Sequence, residues 1–184
     1  GCDQLTEEIR PDGIEKMMNL ETNPYMGMAN EMVITGKLAS SASHLMRKPK
    51  TMVEAYGSSS WCVTMGSLKR ITDFMVAMGC NLFVPHDFAY SEDGYRKQDH
   101  PPSFPHQPYF KHWKLLADHQ GRLSMLFDPM QGVHVAEILM YYPAPSYWAE
   151  LMPNSSVMTD FMGPYMNFHA DALFRNSYDF DIAS

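Results

Sequence analysis

Two short apolar runs separated by one helix-length segment constrain this chain more than any other feature in it. The first, Met52-Val53-Glu54-Ala55-Tyr56, breaks into Gly57-Ser-Ser-Ser-Trp61, and the second is Asn81-Leu-Phe-Val-Pro85-His86-Asp87-Phe88. Between them Thr64 is placed to cap a helix in which Leu68, Ile71, Met75 and Met78 recur at helical spacing, ending at Gly79. Strand, helix and strand of these lengths make a βαβ unit, whose strands lie parallel with a right-handed crossover. Parallel strands bring their carboxyl ends to one sheet edge, so Glu54 and the His86-Asp87 pair converge where α/β proteins bind ligands. Within an apolar run Glu54 is the anomaly, because a buried carboxylate is costly unless it is hydrogen-bonded or paired. The alternative is an edge strand that carries Glu54 on its solvent face.

The flanking segments extend the α/β pattern. From Asn30 to about Met46, Ile34, Leu38, Ala42 and Leu45 recur at helical spacing with small residues between them, which predicts a helix packed closely on a neighbour. His44 near its end reads as a partner of the helix dipole rather than a metal ligand, and Arg47-Lys48-Pro49 stops the helix. A further helix is expected over 109–126, with Phe110, Trp113, Leu116, Leu123 and Phe127 facing the core and Asp128-Pro129 to Gly132 as the closing turn. The character then changes. Val133 to Tyr142 reads as a new parallel strand, followed by a loop with Ala144-Pro145-Ser-Tyr-Trp148 at its mouth, a helix from Tyr165 to Arg175 and a strand entry at Tyr178 to Ile182. Two units are therefore expected, 1–132 and 133–184.

The proline-rich stretch from Ala89 to Pro108 is too long for an ordinary connection and too aromatic for disorder. Its tyrosine, phenylalanine and histidine faces, with Arg96, Lys97 and Asp99 among them, suit sugar rings, whose C–H faces stack on aromatics while hydroxyls take charged partners. Metal binding by His86, His100 and His106 competes with this, but no short ligand pair sits on a common helix or strand.

Composition narrows the classes. The 184 residues are 45% hydrophobic and 19% charged, as in an ordinary globular chain, and a net charge of -7 provides no basic field for nucleic acid. No apolar run reaches the length of a membrane span. Three cysteines, Cys2, Cys62 and Cys80, have neither metal spacing nor a disulfide framework and read as small buried apolar residues. The chain opens on neither a signal peptide nor a Met start, so a cut N-terminus is expected, with residues 1–3 as the end of a strand. The sequon Asn154-Ser-Ser156 is too short a match to carry weight.

The order Ala39-Ser-Ser-Ala-Ser-His44, Lys48-Pro-Lys-Thr-Met-Val-Glu54-Ala-Tyr-Gly57, Gly79-Cys-Asn81-Leu-Phe-Val-Pro-His86-Asp-Phe and Trp113 to Arg122 resembles the later part of a (β/α)8 glycoside hydrolase. The pattern is similar to the large bacterial enzymes of glycoside hydrolase family 106, the α-L-rhamnosidases, and covers mostly residues 28–150. The resemblance implies that 1–132 is the C-terminal part of a TIM-barrel catalytic domain, with the Glu54 strand as the seventh and the His86 strand as the eighth. It implies that 133–184 begins a Rossmann-like domain of the glutamine-amidotransferase-like type. Glu54 would then be the nucleophile or general base and His86 its catalytic neighbour, with Asp3, Trp61, Asp87, Tyr90, Arg96 and Asp99 around the carbohydrate and Trp148 near a subsite. The partner acid would lie on an earlier strand outside the chain, so that the missing half of the barrel, or another copy of the chain, is an implied partner. Calcium is implied for some members, with Asp3, Asp93 and Asp99 as candidate oxygen donors that lack EF-hand-like spacing. Export to the periplasm or medium is implied in the same way. A noncatalytic carbohydrate-binding or scaffold module is the second reading, and a metal-dependent hydrolase using His86 and His100 the third.

Overall fold

The computed structural model describes residues 5–6, 28–57, 59, 61–91, 93–94, 103–150, 152 and 163–184. The chain is a mixed α/β protein with parallel strands. In order it runs β1 (Leu5–Thr6), α1 (Met28–Leu45), β2 (Met52–Ala55), α2 (Met65–Ala77), β3 (Leu82–Pro85), α3 (Trp113–Leu126), β4 (Ile138–Tyr141), α4 (Ala144–Glu150), α5 (Gly163–Arg175) and β5 (Phe180–Ala183). Strands β1, β2 and β3 form one parallel sheet in that spatial order, and β4 and β5 form a separate parallel pair. Among the described residues no helix is long and apolar enough to cross a membrane.

The βαβ unit forms as its pattern dictates. Thr64 Oγ1 accepts the Ser67 amide at 3.1 Å, satisfying a donor that the first turn of α2 leaves unpaired. Leu68, Ile71, Met75 and Met78 are all buried, and Gly79 turns the chain at φ +95°, a left-handed conformation that glycine adopts without a Cβ penalty. Asn81 then ties the two strands at their start: its side-chain carbonyl accepts the Thr51 amide at 2.9 Å and its amide donates to Pro49 O at 3.1 Å. A continuous core joins Val53, Ala55, Tyr56, Leu68, Ile71, Met75 and Phe104 to Met166, Ala170, Phe180 and Ile182.

Helix α1 spans the expected residues but buries the opposite stripe. Leu38 and Leu45 are 38% and 49% exposed, whereas Gly36, Lys37, Ala39, Ser40, Ser41 and Ser43 are buried. The reason is close approach on two sides. Gly36 and Ser40 lie against Met78 and Gly79, where any added Cβ would meet Met78 Cβ at 2.7 Å or Ser40 Cβ at 2.5 Å. Lys37, Ser41 and His44, spaced i, i+4 and i+7 on one stripe, hold β5: Lys37 Nζ binds Asp179, Ser41 Oγ accepts the Ile182 amide at 2.8 Å, and His44 Nδ1 lies 2.9 Å from Asp181 Oδ1. The Ser41 hydroxyl satisfies a strand amide, and Lys37 and His44 pair two carboxylates, all groups that leucines would have left unpaired.

Other local expectations need correction. Residues 144–150 form a helix rather than a loop, β4 is confined to Ile138–Tyr141 because Val133 to Glu137 find no ladder partner among the described residues, and Phe127 is 53% exposed rather than core-facing. Leu116 is buried as expected, while Leu123 is half-buried. Cys80 is buried but Cys62 is exposed, and Cys2 lies outside the described residues. The part of the long loop that is described turns inward. Phe104 is fully buried, tilted against Trp113 at 4.6 Å between ring centroids and edge-on to Tyr56 at 6.0 Å, so its ring serves the core and not a sugar-binding wall.

Candidate functional site

Strands β2 and β3 pair in parallel with Glu54 opposite Val84 and Ala55 opposite Pro85, and the ladder continues one step further as the His86 amide donates to Ala55 O at 2.8 Å. Val53 and Ala55 point into the core with no exposure, so the period of two turns Glu54 to the other face. His86 leaves the end of β3 beside it, and His86 Nδ1 lies 2.8 Å from Glu54 Oε1. With Glu54 ionised, Nδ1–H is the donor and the carboxylate the acceptor, which leaves Nε2 directed at Asp87 Oδ2, 3.9 Å away. The imidazole is more enclosed than its partner: side-chain exposure is 17% for His86 and 37% for Glu54.

The surroundings hold this pair in place from below. Tyr56, directly after the Glu54 strand, is buried with φ +79°, and its hydroxyl lies 2.6 Å from both Thr72 Oγ1 and Gln120 Nε2. Burial pushes the Tyr56 phenol up to about 12, so it remains a neutral hydrogen-bonding anchor. On the other strand, the peptide bond between His86 and Asp87 is cis, and Asp87 O accepts the Phe104 amide at 3.1 Å. The loop is thus fastened beside the pair by a buried aromatic. Asp87 Oδ1 is buried and has no hydrogen-bond partner among the described residues.

The remaining candidates divide. Asp3, Arg96 and Asp99, together with Lys97, His100 and the sequon, lie outside the described residues. Trp61 is 49% exposed and is fixed through its backbone, whose carbonyl accepts Gln107 Nε2 at 3.2 Å. Tyr90 stands entirely in solvent and Trp148 is largely exposed, so neither ring is enclosed as a shielded subsite would require. His106 Nδ1 contacts Ser103 Oγ at 3.3 Å. Of the candidate calcium donors only Asp93 is described; it is exposed and engaged with Ser91.

A second cluster of titratable groups is invisible to sequence spacing. His44, His134 and Asp181 come from α1, the segment before β4, and β5, and their ligand atoms lie within 4.8 Å of one another. Burial, and then the neighbouring His44, hold His134 below the usual imidazole range despite Asp179 and Asp181.

The fold and geometry together define an α/β protein with a carboxylate–imidazole pair at the carboxyl rim of a parallel sheet. Comparison with family models, with curated proteins and with solved structures finds no match for the chain.

Proposed function

We propose that Glu54 and His86 form one side of a glycoside hydrolase active site, at the rim of a (β/α)8 barrel to which this chain contributes its last strands. The observation that carries the reading is the 2.8 Å contact between a carboxylate and an imidazole at the ends of adjacent parallel strands. The chain-order arrangement β1, β2, β3, with a helix before β2 and another before β3, is the local pattern of such a barrel, and the β4–β5 pair would open a following Rossmann-like domain.

In this mechanism Glu54 is the nucleophile of a retaining enzyme or the general base of an inverting one, and the distance to the second carboxylate decides between them. Nδ1–H of His86 orients the Glu54 carboxylate, and Asp87 limits the rotation of the imidazole. The acid that protonates the leaving group comes from an earlier strand of the whole protein, or from another copy. Glu54→Gln in the full-length protein tests the assignment against a panel of aryl glycosides. Turnover is expected to fall roughly thousandfold or more with sugar binding retained; unchanged turnover removes Glu54 from the chemistry. A noncatalytic carbohydrate-binding module is the second reading, favoured by the exposed Trp61 indole, and it requires that the wild-type protein bind sugar without cleaving it.

A further inference from the structure

We infer that His44, His134 and Asp181 form a binding site for a divalent transition metal of the zinc type, separate from the Glu54–His86 pair and independent of the glycosidase reading. Two imidazoles and one carboxylate, contributed by three different elements, are the donor set of zinc and related ions, and nitrogen donors of this kind do not suit calcium or magnesium. The donor spacing fits. Ligands about 2.1 Å from a tetrahedral metal stand roughly 3.4 Å apart. Asp181 Oδ1 is 2.9 Å from His44 Nδ1 and 3.7 Å from His134 Nε2, which brackets that value.

A bound metal takes the place of the direct contact between His44 Nδ1 and Asp181 Oδ1. The two imidazoles stack with centroids 3.8 Å apart and planes 20° from parallel, so their nitrogens point side by side. Convergence on one ion requires a rotation of His134, which lies in the stretch 132–137 that carries no regular structure. His44 and Asp181 are more firmly held, since α1 grips β5 through Ser41 and Lys37 as well. Lys37 is an opposing charge nearby, and it is neutralised by its contact with Asp179, whose other oxygen lies 3.7 Å from His134 Nε2; Arg47 and Lys48 line the same cavity.

The cluster also opens onto space. His44, His134 and Asp181 line a cavity of about 730 Å³ together with Asn81 and Asp128. Three protein ligands facing a cavity leave one coordination position for water or a small ligand, the arrangement of a reactive metal and not of a sealed structural one.

The test uses the untagged full chain, stripped with chelator and titrated with Zn²⁺ by calorimetry and with Co²⁺ by visible absorption. One equivalent per chain is expected, with visible Co²⁺ bands of a nitrogen- and oxygen-ligated ion. His134→Ala and Asp181→Asn should each weaken binding at least thirtyfold, about the loss seen when a metal site is disturbed. His134→Ala decides the matter if Asp181→Asn fails to fold, because His134 lies outside regular structure and its loss leaves the α1–β5 contacts intact. Substoichiometric binding in the wild type, or binding unchanged in a folded His134→Ala variant, overturns the site.

Discussion

Replacing Gly79 by alanine measures how closely α1 is locked to the end of α2. The residue sits at φ +95°, and an added Cβ would lie 2.5 Å from Ser40 Cβ and 2.9 Å from Ser40 Oγ. Left-handed backbone costs an alanine roughly 1–2 kcal/mol. Overlap with a fully buried Ser40, whose Cβ is fixed to the helix backbone, adds roughly 1–3 kcal/mol, as overpacking does elsewhere. The sum, about 2–5 kcal/mol, is a large share of the roughly 5–15 kcal/mol that stabilises a typical domain. The two contributions separate in a double-mutant cycle, because Ser40→Gly removes the atom that is struck and leaves the backbone conformation untouched. Urea unfolding of the four proteins should give a coupling of about 1–3 kcal/mol at unchanged m-value. A coupling below about 0.5 kcal/mol, the size found between independent sites, would refute the close contact and with it the account of why α1 buries serines.

Phe104→Ala empties a fully buried aromatic position between Tyr56 and Trp113 and should cost about 3–5 kcal/mol by chemical denaturation; a loss under about 1 kcal/mol would place the loop outside the core. Asp73 supplies the pH dependence. Burial works to raise its pKa, but hydrogen bonds from Lys69 and His119 outweigh this and hold it below the usual carboxylate value. A lowered folded pKa means that this stabilisation is present above the unfolded pKa, near 3.9, and is lost as pH falls through the folded value. Wild-type stability should therefore drop relative to Asp73→Asn between about pH 5 and pH 3, by less than about 1 kcal/mol because the carboxylate is 41% exposed. Parallel curves for the two proteins would exclude the contribution.

The site was legible where chemistry is local and directional. The anomaly of Glu54 in an apolar run, and its partner 32 residues later at the end of a second run, were enough to place both groups on one rim, because parallel pairing leaves little freedom once the crossover is a single helix. Its third member, Asp87, was equally visible, although its buried and unpartnered oxygen was not. The cluster of His44, His134 and Asp181 was unreadable for the opposite reason. His44 and His134 are separated by about half the chain, and their meeting depends on how α1 lies across β5, which no spacing within either segment encodes.

The same division holds for the fold. By itself the sequence determined the elements with their own local signals: the Thr64 cap, the Leu68 to Met78 stripe, the left-handed stop at Gly79 and the alternation that buries Val53 and Ala55. Only the tertiary structure decided which stripe of α1 is buried. Hydrophobic spacing nominated Leu38 and Leu45, but the helix approaches Met78 and Gly79 too closely for leucines and must also satisfy the polar groups of β5, so Gly36, Lys37, Ser40 and Ser41 took the interior. Steric room and unpaired hydrogen-bonding groups belong to the neighbour, and a helix read alone does not contain them.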